Sequence, residues 1–232
     1  MAIKFFDCKG YGQIEPSQTW FNRAGMVEAQ CFLDPAKFAS TFPVTPAAAA
    51  EGKIVAENGA FLMVDKVAKI ATIPNSDMDE LGYKMGINYS TERIYNQYTP
   101  GRRNFCMIAG EFLPRIGFVE PGMRICTNAV AWDTTDARFA SCNTSAELYA
   151  KVKELIATDR ANYNAYLADP ATNTYTPAPI YAYVVDGSQG KLVIGANKDD
   201  ALGKVYAQIV EAYYNADNTD SFKIMFVEEP QN

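Results

Sequence analysis

The fold is indicated most clearly by one stretch of the sequence, Asn58-Gly59-Ala60-Phe61-Leu62-Met63-Val64-Asp65-Lys66-Val67-Ala68-Lys69-Ile70-Ala71-Thr72-Ile73. Asn-Gly is a strong signal for a tight turn, because both residues tolerate a positive φ angle. The apolar run that follows the turn is typical of β-strands. We therefore predict a turn followed by one or two strands.

Short apolar runs separated by turn signals extend from this stretch in both directions. We predict strands or strand-like runs at 26–33, 91–95, 104–112, 115–119 and 123–131. Glu120-Pro121-Gly122 has proline and glycine where a type II turn needs them. Several short strands at a spacing of roughly 8 to 12 residues predict a β-barrel or a β-sandwich.

The periodicity of the sequence changes at Ser145, which is a suitable N-cap residue. Apolar residues then recur at helical spacing, and Asp169-Pro170 ends the pattern. The members of this apolar stripe are Leu148, Val152, Leu155, Ile156, Tyr163, Tyr166 and Leu167. The pattern predicts one prominent helix at about 145–168, inserted into the β-rich body.

The carboxy-terminal part of the chain returns to strand signals. Residues 180–185 and 191–195 flank a turn and predict a hairpin, and 221–228 is a clear strand. Residues 199–214 fit a helix, but their β-branched and aromatic residues fit a strand as well. We favour a closing hairpin. The expected fold class is therefore mainly β with one helix (α+β).

Residues 1–50 differ from the rest of the chain, because aromatic residues recur there without a period and prolines interrupt them. We predict an extended N-terminal arm at 1–50 that precedes a β-rich body at 51–232. Large aromatic side chains are common anchors of protein–protein contacts. Phe5, Phe6, Trp20 and Phe21 are therefore predicted to contact a neighbouring subunit; packing against the chain's own body is the alternative.

The composition narrows the classes of function. The 232 residues include 48% hydrophobic and 21% charged residues, and no run is long enough to cross a membrane as a helix. The formal net charge of −6 argues against non-specific nucleic-acid binding through phosphate contacts. No signal peptide is expected at the amino terminus.

The chain contains no histidine. This excludes catalytic triads that depend on histidine and zinc sites with histidine ligands. Carboxylate-pair hydrolases, lysine Schiff-base enzymes and metal sites with oxygen ligands stay open. We predict no enzyme activity and no cofactor.

The five cysteines Cys8, Cys31, Cys106, Cys126 and Cys142 form no C-x-x-C motif, and Cys31, Cys106 and Cys126 lie in apolar stretches. We therefore predict buried thiols that are neither catalytic nor in disulfides. Asp77, Asp79 and Glu80 could ligate calcium, as could the pair Asp133 and Asp136, but solvated acidic loops are more common. Arg102-Arg103 could bind an anion, and Glu111 and Glu120 could form an acid–base pair. The sequence places none of these groups together, so we predict no catalytic or metal site.

Three stretches resemble the head decoration proteins of tailed bacteriophages. They are the Asn-Gly turn with its apolar run at 58–65, the Pro-Arg, apolar, Thr-Asn stretch at 111–128, and the closing residues 203–227. Met123 stands where this family's pattern has aspartate, and Cys126 precedes a single threonine, Thr127. The helix at about 145–168 is not part of the resemblance.

The resemblance implies a non-enzymatic virion protein on the outer surface of a capsid, assembled in the host cytoplasm. Its implied partners are the major capsid protein and neighbouring copies of itself, as a homo-oligomer on the particle, with neither nucleic acid nor membrane. A small carboxylate-based hydrolase acting on glycan or cell wall is the alternative function. Another head or tail accessory component of a virion is also open.

Overall fold

The structure is a computed structural model that describes residues 1–15, 18–19, 27–28, 31–33, 55–77, 83–89, 106–108, 112–113, 115–215 and 218–227. In this part of the chain it is mainly β with a single long helix, as the sequence predicts. The predicted strand at 91–95, Arg102-Arg103 and Glu111 lie outside the described residues.

The described elements comprise sixteen strands, one long helix and two short 3₁₀ turns. The strands of the first half are β1 Ile3–Phe5, β2 Val27–Glu28, β3 Cys31–Leu33, β4 Val55–Glu57, β5 Phe61–Asp65, β6 Ile70–Thr72, β7 Lys84–Asn88 and β8 Cys106–Ile108. The remaining elements are β9 Phe112–Leu113, β10 Ile116–Phe118, β11 Arg124–Thr127, β12 Val130–Asp133, the helix α1 Ser145–Ala168, β13 Tyr181–Tyr183, β14 Leu192–Gly195, the 3₁₀ turns Lys198–Asp200 and Leu202–Lys204, β15 Tyr206–Tyr214 and β16 Asp220–Phe226.

The strands form two seven-stranded sheets and one small pair. The first sheet has the order β1-β12-β14-β13-β15-β16-β11, and the second has the order β2-β10-β7-β5-β6-β3-β9. Strands β4 and β8 form the pair. The described pairings are antiparallel except for β12 with β14 and β3 with β6.

Strand β5 shows why the stretch at 58–73 governs the fold. Phe61 and Met63 contribute to the core shared with the first sheet, whereas Leu62 and Val64 belong to a second core formed mainly by the second sheet. Successive side chains of a strand alternate between its faces, so a continuous apolar run marks a strand buried on both sides. The Asn58-Gly59 turn precedes it as predicted, and Gly59 has a φ of +83°.

Helix α1 covers Ser145–Ala168, as the sequence predicts, but its N-cap is Thr144 and not Ser145. Thr144 Oγ1 accepts from the Glu147 N–H at 3.3 Å, and Glu147 Oε2 accepts from the Thr144 N–H, which completes a capping box. Leu148 and Val152 are buried against the first sheet. The second half of α1 projects from the body, since ten of its last twelve residues are exposed.

The closing hairpin is confirmed. Residues 206–214 form β15, which pairs with β16, and the two 3₁₀ turns precede it. The register shifts between Ile209 and Glu211, so Val210 is the extra residue of a β-bulge. One prediction is wrong in detail: residues 123–131 form two strands, β11 and β12, because the chain changes direction at Asn128-Ala129.

The described portions of the predicted arm pair with strands of the body. Strand β1 pairs with β12, Ile14 bridges to Thr127, and Cys31–Leu33 pairs with β6. The residues Phe6, Cys8, Tyr11 and Ile14 are buried. This amino-terminal segment is therefore part of the chain's own core.

Candidate partner-binding surface

The four residues predicted to contact a partner have different positions. Phe6 is 5% exposed and lies edge-on against the ring of Phe222, with the ring centroids 5.6 Å apart. Phe5 is 38% exposed. Trp20 and Phe21 lie outside the described residues. Neighbouring side chains of an extended segment point to opposite faces, so Phe6 packs in the core while the Phe5 ring stays partly exposed.

A cavity of about 500 Å³ lies beside Phe5. We call its rim the amino-terminal surface. It is formed by three segments, residues 4–9, residues 143–146 at the start of α1, and residues 218–220 of the β15–β16 turn. The segments come from distant parts of the sequence and meet around this cavity.

Hydrogen bonds hold the amino-terminal surface in shape. The Asp7 N–H donates to Ser145 Oγ at 2.7 Å, and Lys4 Nζ donates to Asn143 Oδ1 at 3.3 Å. Asp7 Oδ1 also accepts from the Lys9 N–H at 2.9 Å, where Lys9 has a φ of +53°. These bonds join the start of the chain to the start of α1. The exposed Phe5 ring is therefore presented by a fixed backbone.

A second group of aromatic side chains adjoins this surface. Tyr214 is 55% exposed and pairs with Asp220, which lines the cavity. Its ring stacks on the ring of Tyr213, with centroids 4.8 Å apart and planes 7° from parallel. Lys223 Nζ lies 3.6 Å from the centre of the Tyr213 ring and 3.0 Å from Glu211 Oε2. Stacked rings with one exposed face are well suited to contact another protein.

The most unusual polar group is buried where the two sheets meet. Lys191 Nζ lies 2.9 Å from Glu57 Oε2, and both side chains are almost fully buried. Gly12 lies against this pair, because a Cβ atom on Gly12 would come within 2.5 Å of Glu57 Oε2. Burial lowers the pKa of Lys191, but the Glu57 carboxylate and Cys8 together raise it by more, so the pKa of Lys191 lies above its usual value. The ion pair fixes β4 to the start of β14.

The cysteines of this region are buried thiols. Burial raises the pKa of Cys8 to about 12, and the Cys8 thiol donates to Asn128 O at 3.2 Å. Burial also raises the pKa of Cys126 to about 11, and its sulfur lies 3.0 Å from Ser221 Oγ. A thiol that stays protonated at neutral pH is a poor nucleophile. The predicted burial is confirmed for Cys8, Cys31, Cys126 and Cys142; the side chain of Cys106 lies outside the described part.

The acidic pair predicted as a possible calcium site is engaged in turns. Asp133 Oδ1 accepts from the N–H and the hydroxyl of Thr135, and Asp136 Oδ2 lies 2.8 Å from Arg138 Nη2. Among the described residues no three cysteine or acidic side chains converge as metal ligands. The Asp133 and Asp136 carboxylates therefore shape the loop that leads to α1.

The sequence reasoning missed Tyr213, Tyr214 and the bulged Val210. These residues were recognised only as β-forming residues of an ambiguous segment, because their exposure depends on the register with β16. It also missed the Glu57–Lys191 pair, whose members are 134 residues apart.

Comparisons of the chain with protein-family models, with curated proteins and with solved structures gave no match. Within the described residues, no helix combines the length and the apolar character that crossing a membrane requires.

Proposed function

We propose that this chain is a non-enzymatic virion protein that binds the outer surface of a phage capsid as a decoration protein. One observation carries the proposal: the three stretches that resemble decoration proteins, although far apart in the sequence, pack against one another. The proposed virion location and the proposed capsid partner rest on this resemblance.

The contacts among the three stretches are direct. A Cβ atom on Gly59, in the first stretch, would lie 2.5 Å from Thr127 Oγ1 in the second. The second and third stretches pair as β11 with β16, where Ile125 is opposite Ile224. The rings of Phe61 and Phe226 join the first and third stretches, with centroids 5.8 Å apart. Helix α1, which is outside the resemblance, packs on this unit from one side.

The amino-terminal surface is the capsid contact in this proposal. It offers the partly exposed ring of Phe5 on a backbone held by hydrogen bonds, and the exposed Tyr214 ring adjoins it as a second aromatic anchor. It also carries charges of both signs, Lys4 and Lys9 with Asp7 and Asp220, which a complementary protein surface can pair. The major capsid protein and neighbouring copies of this chain are the proposed partners.

Co-sedimentation tests the proposal. Capsids of the encoding virus, assembled without this chain, are mixed with the purified protein and centrifuged. We expect the wild-type chain to sediment with the capsids. Phe5→Ala and Tyr214→Ala should each weaken attachment by about 1–2 kcal/mol if these residues act as anchors.

Val67→Ala is the matched control, because Val67 is 96% exposed on the β5–β6 turn, away from the amino-terminal surface. It should sediment like the wild type. Absence of wild-type protein from the capsid pellet would refute the capsid-binding proposal. Retained attachment of both aromatic variants would refute the choice of surface.

A further inference from the structure

A second groove lies along α1, apart from the amino-terminal surface. It has a volume of about 350 Å³ and lies between the helix, the segment 175–180 and strand β15. Its lining is mixed, with apolar Ile156, Ile180 and Val210 beside polar Asp159, Arg160 and Gln208. Small-molecule sites have this character, an apolar lining with a few polar groups that converge on the ligand.

The groove is fixed in shape by Asp159. Its carboxylate accepts from the Tyr175 hydroxyl at 3.0 Å and from the Ala178 N–H at 3.2 Å. Arg138 Nη1 donates to Pro179 O at 3.2 Å and holds the same segment from the other side. An otherwise exposed connection is thereby fastened to both the helix and the body. The groove is consequently preformed, which lowers the entropy cost of binding a ligand.

Aromatic rings form one end of the groove. The rings of Tyr163 and Tyr175 have centroids 5.2 Å apart and are inclined at 56°, which makes an open corner. The Tyr166 ring lies 6.4 Å from Tyr175 and supports it from behind the corner. Tyr163 is 44% exposed. Its free face can therefore receive the flat apolar face of a ligand.

The polar side chains indicate the character of that ligand. Arg160 offers donors, Asp159 offers acceptors, and Gln208 offers both. The two opposite charges offset each other, so the groove favours neither an anion nor a cation. A ligand that matches has an apolar face and a rim of hydroxyl groups.

We propose that this groove binds a neutral carbohydrate, with one sugar ring stacked on Tyr163 and hydroxyls bonded to Arg160 and Gln208. The site is independent of capsid attachment, because its residues are not those of the amino-terminal surface. A proline-rich peptide would also stack on tyrosines, but its proline residues carry no N–H and no hydroxyl to bond with Arg160 and Gln208. The polar side chains of Arg160 and Gln208 therefore favour a sugar.

Binding of the full-length chain to an array of neutral oligosaccharides tests this site, followed by calorimetry with the sugars that bind. We expect saturable binding by the wild type and a loss of affinity of about tenfold or more in Tyr163→Ala. Gln208→Ala should weaken binding, while Tyr214→Ala, which alters the other surface, should bind sugar like the wild type.

Circular dichroism and thermal melting of each variant separate lost binding from lost folding. No sugar bound by the folded wild type, or equal affinity in a folded Tyr163→Ala variant, would overturn the proposal. Binding of proline-rich peptides through Tyr163 in place of sugars would overturn it too. Co-sedimentation of Tyr163→Ala with capsids reports on capsid attachment separately.

Discussion

At the scale of single residues, the Glu57–Lys191 pair holds two parts of the fold together. Both groups are desolvated, and their attraction offsets that cost only while both are present. Removing one member leaves a buried charge without its partner. Removing both leaves an apolar site that can pack.

We therefore predict that Glu57→Gln or Lys191→Met each lowers the free energy of unfolding by about 3–5 kcal/mol. The double variant Glu57→Leu/Lys191→Met should lose less than either single variant does. Urea denaturation of the four proteins measures this. Additive losses in the double variant would show that the two groups act independently.

The buried thiols predict how stability depends on pH. The pKa of Cys8 is about 12 and that of Cys126 is about 11 in the folded chain, against about 8.5 for an unfolded cysteine. Above pH 8.5 the unfolded chain releases these protons while the folded chain keeps them. The stability contribution is therefore complete below pH 8.5 and is lost as pH rises.

We expect the free energy of unfolding to fall by up to about 1.4 kcal/mol per pH unit for each such thiol between pH 9 and 10. Urea titrations at pH 7, 8, 9 and 10 measure the slope. Cys8→Ala should make the slope shallower. An unchanged slope in that variant would contradict the assignment of a protonated buried thiol at Cys8.

The burial of individual side chains was the feature least predictable from the sequence. The sequence pattern does not distinguish Phe5 from Phe6. Only the pairing of β1 with β12 determines which ring is buried. That pairing joins residues about 130 positions apart, such as Ile3 with Asp133. Local periodicity carries no information on such long-range partners, so the site could be predicted only as a set of candidates.

At the scale of elements, α1 has two halves with different roles. Leu148 and Val152 pack in the core, and the Tyr149 hydroxyl donates to Tyr213 O at 3.0 Å on β15. This contact covers part of the β15 edge that β13 leaves unpaired. The second half of the helix has no such contacts with the sheet and carries the proposed sugar site.

This division predicts different effects of two leucine truncations in the same helix. Leu148→Ala should lower the free energy of unfolding by about 2–5 kcal/mol, because it leaves a cavity in the core. Leu167→Ala should change it by about 0.5 kcal/mol or less, since Leu167 is 57% exposed. Chemical denaturation of both variants gives the comparison. Equal losses would mean that the distal half is also packed.

Elements were predictable where the signals are local. The Asn58-Gly59 turn, the helix and the two carboxy-terminal hairpins follow from turn chemistry and periodicity within a few residues. The break at Asn128-Ala129 was missed because apolar residues continue on both sides of it. The Asn128 side chain accepts from the Gln13 N–H at 2.7 Å, a contact that local pattern does not indicate.

At the scale of the whole molecule, the amino-terminal segment completes the shared core. Phe6, Cys8 and Ile14 join residues of both sheets in one cluster. The sequence predicted an extended arm that packs either on a neighbouring subunit or on the chain's own body. The described portions of this arm pack on the chain's own body. The mainly β class was predictable, but the partnership of residues 1–15 with β11 and β12 was not.

We predict that deleting residues 1–15 abolishes cooperative unfolding, because it removes β1 and exposes the core that these residues cover. Differential scanning calorimetry of the truncated chain measures this. Deleting residue 1 alone is the control, since Met1 is exposed and outside β1. A sharp, native-like transition in the longer deletion would show that the segment is a dispensable arm.

The proposed attachment to a capsid through the amino-terminal surface can be tested by cryo-electron microscopy of the virus particle. We expect density for this chain on the outer capsid surface, with Phe5 and Tyr214 against the shell and the distal half of α1 pointing into solvent. Density only inside the shell or in the tail, no density at all, or the distal half of α1 seated on the capsid would contradict it.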